Sequence, residues 1–483
     1  VGYLFHSMRS FSLFSRESSS LLFLISLVLS QSLWLHVSSS AEVDDDANPV
    51  QMLIDAAMEN TRVYERLAYL GDTFGPRFSG TTALEDAIEW AESLMHEEEG
   101  VINIAREPVM VPHWVRGDES LRMVAPREAS LAMLGLGGSI GTDGPLTAEV
   151  LVVSSFDELA ERAAEAKGRI VVYNVPFTTY SATSRYRRLG AVEAARVGAV
   201  ASLTRSITDH SLYTPHTGSM SYEAGVPLIP AAAITVEDAA MFGRMTERGT
   251  TITLTLTMNA KTLDDALSHN LIGELPGTDL SDEIVVVGGH FDSWDVGTGM
   301  TDDAGGCLMA LETLHLMNSL GLRPRRTVRA VFFTNEENGA RGAAAYLSQH
   351  AHEVNRTVFA LESDQGLSLP YGYSFQGNPA ALPTLQALAD HTKPALDLQV
   401  REGGAGVDIG PLCEAGVPGV GLLNDEFDGS GTDYFDVHHT MADTFDKIRL
   451  EDLRRSLAAV VSMVFQVANM EGTLPRIHDT DSE

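Results

Sequence analysis

Four short apolar runs in the second half of the chain constrain its fold more than any other feature. "EIVVVGG", "RTVRAVFFT", "TVFALES" and "VPGVGLLN" lie among segments with apolar residues at helical spacing, such as "AGGCLMALETLHLMNSLG", "GARGAAAYLSQHA" and "RLEDLRRSLAAVVSMVFQVANM". A strand that is apolar on successive residues has no polar face to offer water, so helices must cover its sheet on both sides. The expected core is an α/β layer: a mostly parallel central sheet with helices on both faces. In such sheets ligands gather beyond the carboxyl ends of the strands.

Upstream, "NPVQMLIDAAMENTRVYERLAYLGD" and "TTALEDAIEWAESLMHEE" carry helical periodicity and "VINIAREPVMVPHW" alternates like strand. Residues 48–125 are expected to open the α/β domain and residues 261–475 to complete it. Between them the units shorten ("AEVLVVSS", "RIVVYNVP", "TTITLTLTMNA"), and residues 126–260 are assigned to an inserted α+β domain. It contains no cluster of metal ligands, and a covering or interaction role is expected for it.

The formal net charge of -33 argues against nucleic acid or an anionic membrane as partner, since both need a basic face. From Met8 a weakly basic start, the apolar run "LLFLISLVLS" and the small residues Ser39 and Ala41 predict a secretory signal peptide over residues 8–41. The apolar run is short for a membrane span, so no stable anchor is expected after cleavage. A secreted or lysosomal protein is expected, and the sequon at Asn355 is a glycosylation candidate. Two cysteines, Cys307 and Cys413, build no disulfide framework and are expected as buried free thiols.

The polar residues that matter follow the apolar runs. "GGHFDSWDVGTGMTDDAGG" crowds His290 and four aspartates, Asp302 among them, onto one glycine-rich loop. Mutual repulsion makes such a loop costly unless a cation sits among the carboxylates. Glu336 and Glu337 follow the second run, Asp364 follows the third, and His439 lies in "HHTMADT" before the last helix. Taken singly, Asp364 or "TDDAGG" reads as a helix cap and an "EE" pair as solvated charge. Their joint placement at successive strand ends reads as imidazole and carboxylate ligands suited to zinc.

"GGHFDS", "GMTDDAGG", "FTNEENGARGA", "LESDQG", "GVDIGPLCEAGVPGVGLL" and "HHTMADT", in this order, resemble the co-catalytic di-zinc exopeptidases. The resemblance runs from about Asn48 to Leu474, and the inserted region resembles a protease-associated domain. It implies two zinc ions per chain, one held by His290, Asp302 and Asp364, the other by Asp302, Glu337 and His439. Asp302 then bridges both. Glu336 matches the general base, taking a proton from the metal-bridging water and returning it to the leaving amine. His438 is a decoy beside His439. Asp292 is placed to accept the other ring proton of His290, Tyr434 to pack or to stabilise an oxyanion, and the Asp302–Asp303 peptide to be cis.

The implied activity is hydrolysis of small unblocked peptides, most of all dipeptides, by an exopeptidase that forms a homodimer. An aminopeptidase trimming longer peptides, a single-zinc cyclase and an inactive receptor-like relative are the alternatives. The acidic segment "NDEFDGSGTDYFD" is expected to border the active site and to bear on substrate size.

Overall fold

The computed structural model describes residues 48–208, 210–424 and 434–477. The predicted signal peptide and residues 425–433 of the acidic segment lie outside them. Among the described residues no helix is long and apolar enough to cross a membrane.

The main sheet has eight strands: β1 (Ile102–Val115), β2 (Lys261–Leu275), β3 (Leu280–His290), β4 (Arg326–Phe333), β5 (Thr357–Glu362), β6 (Pro370–Gln376), β7 (Gln399–Glu402) and β8 (Gly419–Asn424), in the order β1-β2-β4-β3-β5-β8-β6-β7. The central four, β4-β3-β5-β8, run parallel, while β1-β2, β2-β4 and β8-β6 are antiparallel. The four apolar runs of the sequence are these central strands.

Side-chain parity explains their composition. Val285 and Val287 of β3 point into one core, with the helices Pro49–Glu59, Arg62–Phe74, Thr82–Glu97, Gly305–Ser319 and Leu450–Asn469. Ile284 and Val286 point into the other, with Tyr346 of helix Arg341–Gln349 and Leu412 of helix Gly410–Glu414. Burial of both parities stabilises each valine by roughly 1.5–3 kcal/mol relative to exposure. Cys307 and Cys413 are buried free thiols, one in each core.

A second eight-stranded sheet grows from the turn between β1 and β2, whose ends Val115 and Lys261 are paired. Its four strands Leu146–Val153, Ile170–Tyr173, Ala201–Arg205 and Ala231–Ile234 run parallel, with apolar clusters on both faces. This sheet starts earlier than the expected residue 126. Strand Glu119–Ala125 pairs with Thr253–Met258 within it, and Leu121 and Met123 are buried in its core. The break from β1 is a turn at Gly117 (φ 66°) and Asp118, too short to show as a change in sequence texture.

Candidate metal centre

Three neighbouring parallel strands deliver the first groups. His290 is the last residue of β3, level with Phe333 of β4, after which Glu336 and Glu337 follow. Gly288 of β3 is level with Glu362 of β5, and Asp364 lies just beyond. Asp302 sits in the turn Met300–Ala304 that leads into helix Gly305–Ser319, and its peptide bond to Asp303 is cis, as expected.

The side chains converge. His290 Nε2 is 3.1 Å from Asp302 Oδ1 and 3.4 Å from Asp364 Oδ1. His439 Nε2 is 3.4 Å from Asp302 Oδ2 and 3.1 Å from Glu337 Oε2. Asp302 therefore faces both histidines, one with each oxygen. His438 stacks on His439 with ring centroids 3.5 Å apart, but its Nε2 is 3.8 Å from Asp302 Oδ2. The shorter approach and the contact with Glu337 belong to His439, whose backbone takes a left-handed φ of 60°.

Burial makes this arrangement costly as it stands. Among the described residues, Asp302 Oδ2, Glu337 Oε1 and Asp364 Oδ1 are buried with no hydrogen-bond partner. Burial, and then neighbouring carboxylates, push the carboxyls of Glu337 and Asp303 well above the usual range, and Glu336 up to about 8. Burial pulls the His290 imidazole down, yet Asp364 and Asp302 together raise it well above its ordinary value. Orphaned oxygens around two imidazoles are the donor set of a cation cradle, so the residues fit the metal that the strand-end pattern predicted.

The supports of the cradle come from further away. The Asp443 carboxylate accepts from the backbone N–H groups of Met300, Thr301 and Asp302 at 3.0–3.2 Å, fixing the turn that carries Asp302. Buried Arg77 donates to the carbonyls of Phe291, Thr298 and Gly299. Asp303 Oδ2 accepts from the N–H of His290, an approach so close that a Cβ on Gly289 would lie 2.0 Å from that oxygen. Asp292 differs from expectation. His290 Nδ1 meets its main-chain carbonyl at 2.9 Å, whereas its carboxylate is 3.8 Å away and accepts instead from the N–H groups of Glu336 and Glu337. Tyr434 packs on His438 with ring centroids 4.9 Å apart.

The inserted domain does more than cover this site. Thr217 N donates to His439 O and Ser219 Oγ to Glu337 O, so one of its loops is bonded to two of the converging residues. Trp294, from the acidic loop, packs where a Cβ on Gly137 of the insert would be 2.3 Å from its ring. Arg116 clamps Asp295 through two bonds of 2.8 and 2.6 Å. A cavity of about 1130 Å³ opens between the two sheets' domains, lined by Glu336, Asp302 and His439 on one side and Tyr180, Arg187 and Arg188 on the other.

Of the residues singled out from sequence, Asp302, Glu336, Glu337, Asp364 and His439 line this cavity, and fully buried His290 reaches Asp302 from behind it. Asn355 is exposed on a turn elsewhere. Arg77, Arg187, Thr217 and Asp443 were not anticipated. Asp443 had a signal in "HTMADT"; the others are isolated in sequence from the groups they support.

Comparison with known proteins bears on this geometry. Residues 270–464, which carry every converging residue, match the model of peptidase family M28. Human carboxypeptidase Q is 45% identical over 437 residues, covering 90% of this chain and 91% of its own length. The chain belongs to peptidase family M28. A solved structure of an M28 peptidase precursor from Shewanella amazonensis superposes with a TM-score of 0.84 at 31% identity, over 89% of this chain and 98% of that one. A Bacillus subtilis zinc aminopeptidase shares the fold at 20% identity, with a TM-score of 0.64 over 86% of this chain and 97% of its own. As an M28 member the chain is a metallo-exopeptidase, with the mixed α/β fold of that family.

Proposed function

We propose that this M28 enzyme is a di-zinc exopeptidase that hydrolyses small unblocked peptides, dipeptides above all. The observation that carries the two-ion reading is Asp302, whose two oxygens face two separate histidine–carboxylate pairs, His290 with Asp364 and His439 with Glu337. Zinc bound there would supply Lewis-acid polarisation of the scissile carbonyl and a lowered pKa for the attacking water.

The chain's own residues do the rest. Glu336 lines the cavity beside the cradle and is not one of the groups facing a histidine, which leaves its carboxylate to take a proton from the attacking water and return it to the leaving amine. Its elevated pKa arises first from burial and then from uncompensated carboxylates, so cations in the cradle would bring it back toward the range of a working base. Asp292 holds the N–H groups of Glu336 and Glu337, aiming adjacent side chains at base and ligand roles.

The signal-peptide pattern over residues 8–41 and the exposed sequon at Asn355 support passage through the secretory pathway to a secreted or lysosomal site and glycosylation there, and a homodimer is part of the same proposal. The second reading, an aminopeptidase acting on longer peptides, is favoured by one observation: a cavity of about 1130 Å³ is larger than a dipeptide requires.

Hydrolysis of a free dipeptide, its amino-blocked form and a tripeptide, each with and without chelator, tests the proposal. Chelator-sensitive cleavage of the free dipeptide alone is the expected result. Efficient cleavage of the tripeptide from its amino end replaces it with the aminopeptidase, and cleavage of the blocked dipeptide with a carboxypeptidase.

A further inference from the structure

We infer that Arg187 of the inserted domain is a positioning residue for His439, which together with the Thr217 carbonyl holds this ring in its ligand pose in either tautomer. The inference rests on the reading of His439 as a metal ligand. It makes one of the two cation positions depend on a domain that carries none of the ligands.

Arg187 lies on helix Tyr180–Arg196 and is 5% exposed. Among the described residues no carboxylate forms an ion pair with it. Its Nη1 donates to Thr217 O at 3.0 Å, its Nη2 to the Tyr180 hydroxyl at 2.7 Å, and its guanidinium lies 5.4 Å from the Tyr180 ring centroid. A buried guanidinium without a counter-ion is expensive, and here it is spent beside a site rich in unpaired carboxylates. A Cβ on Gly218 would fall 2.3 Å from Arg187 Cζ, so the loop at Thr217 closes on the side chain with no room to spare.

The decisive atom is His439 Nδ1. It has two neighbours at 3.3 Å, Thr217 O and Arg187 Nη1. The first is an acceptor and requires a proton on Nδ1; the second is a donor and requires a lone pair there. One nitrogen cannot satisfy both at once. When Nε2 gives its lone pair to a cation, the proton resides on Nδ1 and is donated to Thr217 O, which also accepts from Arg187. When no cation is bound, Nε2–H can face Glu337 Oε2 at 3.1 Å while Nδ1 accepts from Arg187. Either way the ring keeps its place, and the bond from Thr217 N to His439 O at 3.0 Å anchors the backbone beneath it. Such outer partners typically carry 10- to 100-fold in metal affinity.

Zinc titration of chelator-stripped protein by calorimetry, with metal content of the dialysed product, tests this without reference to catalysis. Arg187→Met is expected to bind one zinc as wild type does and the other about 10- to 100-fold more weakly. Arg187→Lys keeps the charge but not the fork, and an intermediate loss is expected. Tyr180→Phe removes one of the bonds that orient the guanidinium and should weaken the same zinc by a few-fold. His439→Ala is the reference and should lose that zinc outright. If His439→Ala retains both ions at wild-type affinity, the ligand reading fails. If it loses one while Arg187→Met binds both normally, the inference about Arg187 fails and the ligand reading stands. Should Arg187→Met not fold, as judged by thermal unfolding, unchanged zinc affinity in Tyr180→Phe overturns the inference.

Discussion

Helix Gly305–Ser319 connects two clusters of buried charge that are built in opposite ways. Midway along it, Glu312 is fully buried and receives Asn60, Arg62 and Arg66, while nearby Glu98 receives Arg62, Arg66 and His315. At its start lie Asp302 and Asp303, which with Asp292, Glu337 and Asp364 form a group of carboxylates that no lysine or arginine of the described residues pairs with. In the first cluster the chain supplies its own cations, and the Glu98 carboxyl, despite burial that opposes ionisation, is held down at about 2 by His315 and Arg66. In the second, burial pushes the Glu337 and Asp303 carboxyls upward, and only Asp302, against its burial, is held down by the His290 imidazole. A buried acid with arginine in reach is architecture. A buried acid with neither arginine nor enough backbone N–H groups in reach needs a cation from outside.

This contrast can be broken most sharply at Asp302. Asp302→Asn should lower kcat/KM by about 10³-fold or more, because both cation positions lose a shared ligand. Metal-free Glu337→Gln should nonetheless melt at a higher temperature than metal-free wild type, since a carboxyl that burial and the neighbouring Asp302 push well above its usual range is gone. A lower melting temperature without metal would mean that the carboxylate is internally paired after all.

Glu336→Gln should cost about 10²- to 10⁴-fold in kcat while leaving both ions bound, as read by metal analysis. Loss of metal instead would move Glu336 from proton carrier to ligand.

In the self-neutralised cluster the signs reverse. Glu312→Gln should destabilise the folded chain by about 3 kcal/mol in denaturant unfolding, with kcat of the folded fraction unchanged. Glu337→Gln and Glu312→Gln, the same acid-to-amide change, should thus shift the melting of the metal-free protein in opposite directions.

The smallest effect concerns pH. The folded Glu98 carboxyl titrates below its unfolded value of 4.5, so its contribution is complete above about pH 5 and is lost as pH falls from 4.5 toward 2. It amounts to roughly 3 kcal/mol at most. Unfolding curves at pH 5 and pH 3 should show wild type losing stability that Glu98→Gln lacks at both values.

What the sequence made legible follows from locality. His290, Glu336, Glu337 and Asp364 each follow an apolar run within a few residues, and a parallel sheet must bring such ends together. Asp302 and His439 were found through motifs shared with the exopeptidases. Arg187 and Thr217 lie in a domain whose own sequence holds no ligand cluster, and Arg77 reaches Phe291 and Gly299 from over two hundred residues away. No local spacing encodes such encounters. Asp292 shows a subtler limit: position two after His290 selected the right residue, but whether its carbonyl or its carboxylate meets the ring depends on where the loop after β4 comes to rest.

The pairing of Val115 with Lys261 has a consequence for synthesis. Strand β1 leaves the ribosome well before β2, and the 145 residues from 116 to 260 must be made in between, taking roughly 7–30 s at 5–20 residues per second. The strands of the second sheet, from Glu119 to Met258, all emerge inside that interval. The insert can therefore finish folding while β1 still waits for its neighbour. Folding in that order would put Arg187 and Thr217 in place before His290 appears, so that the ligand-bearing half of the chain closes against a finished wall.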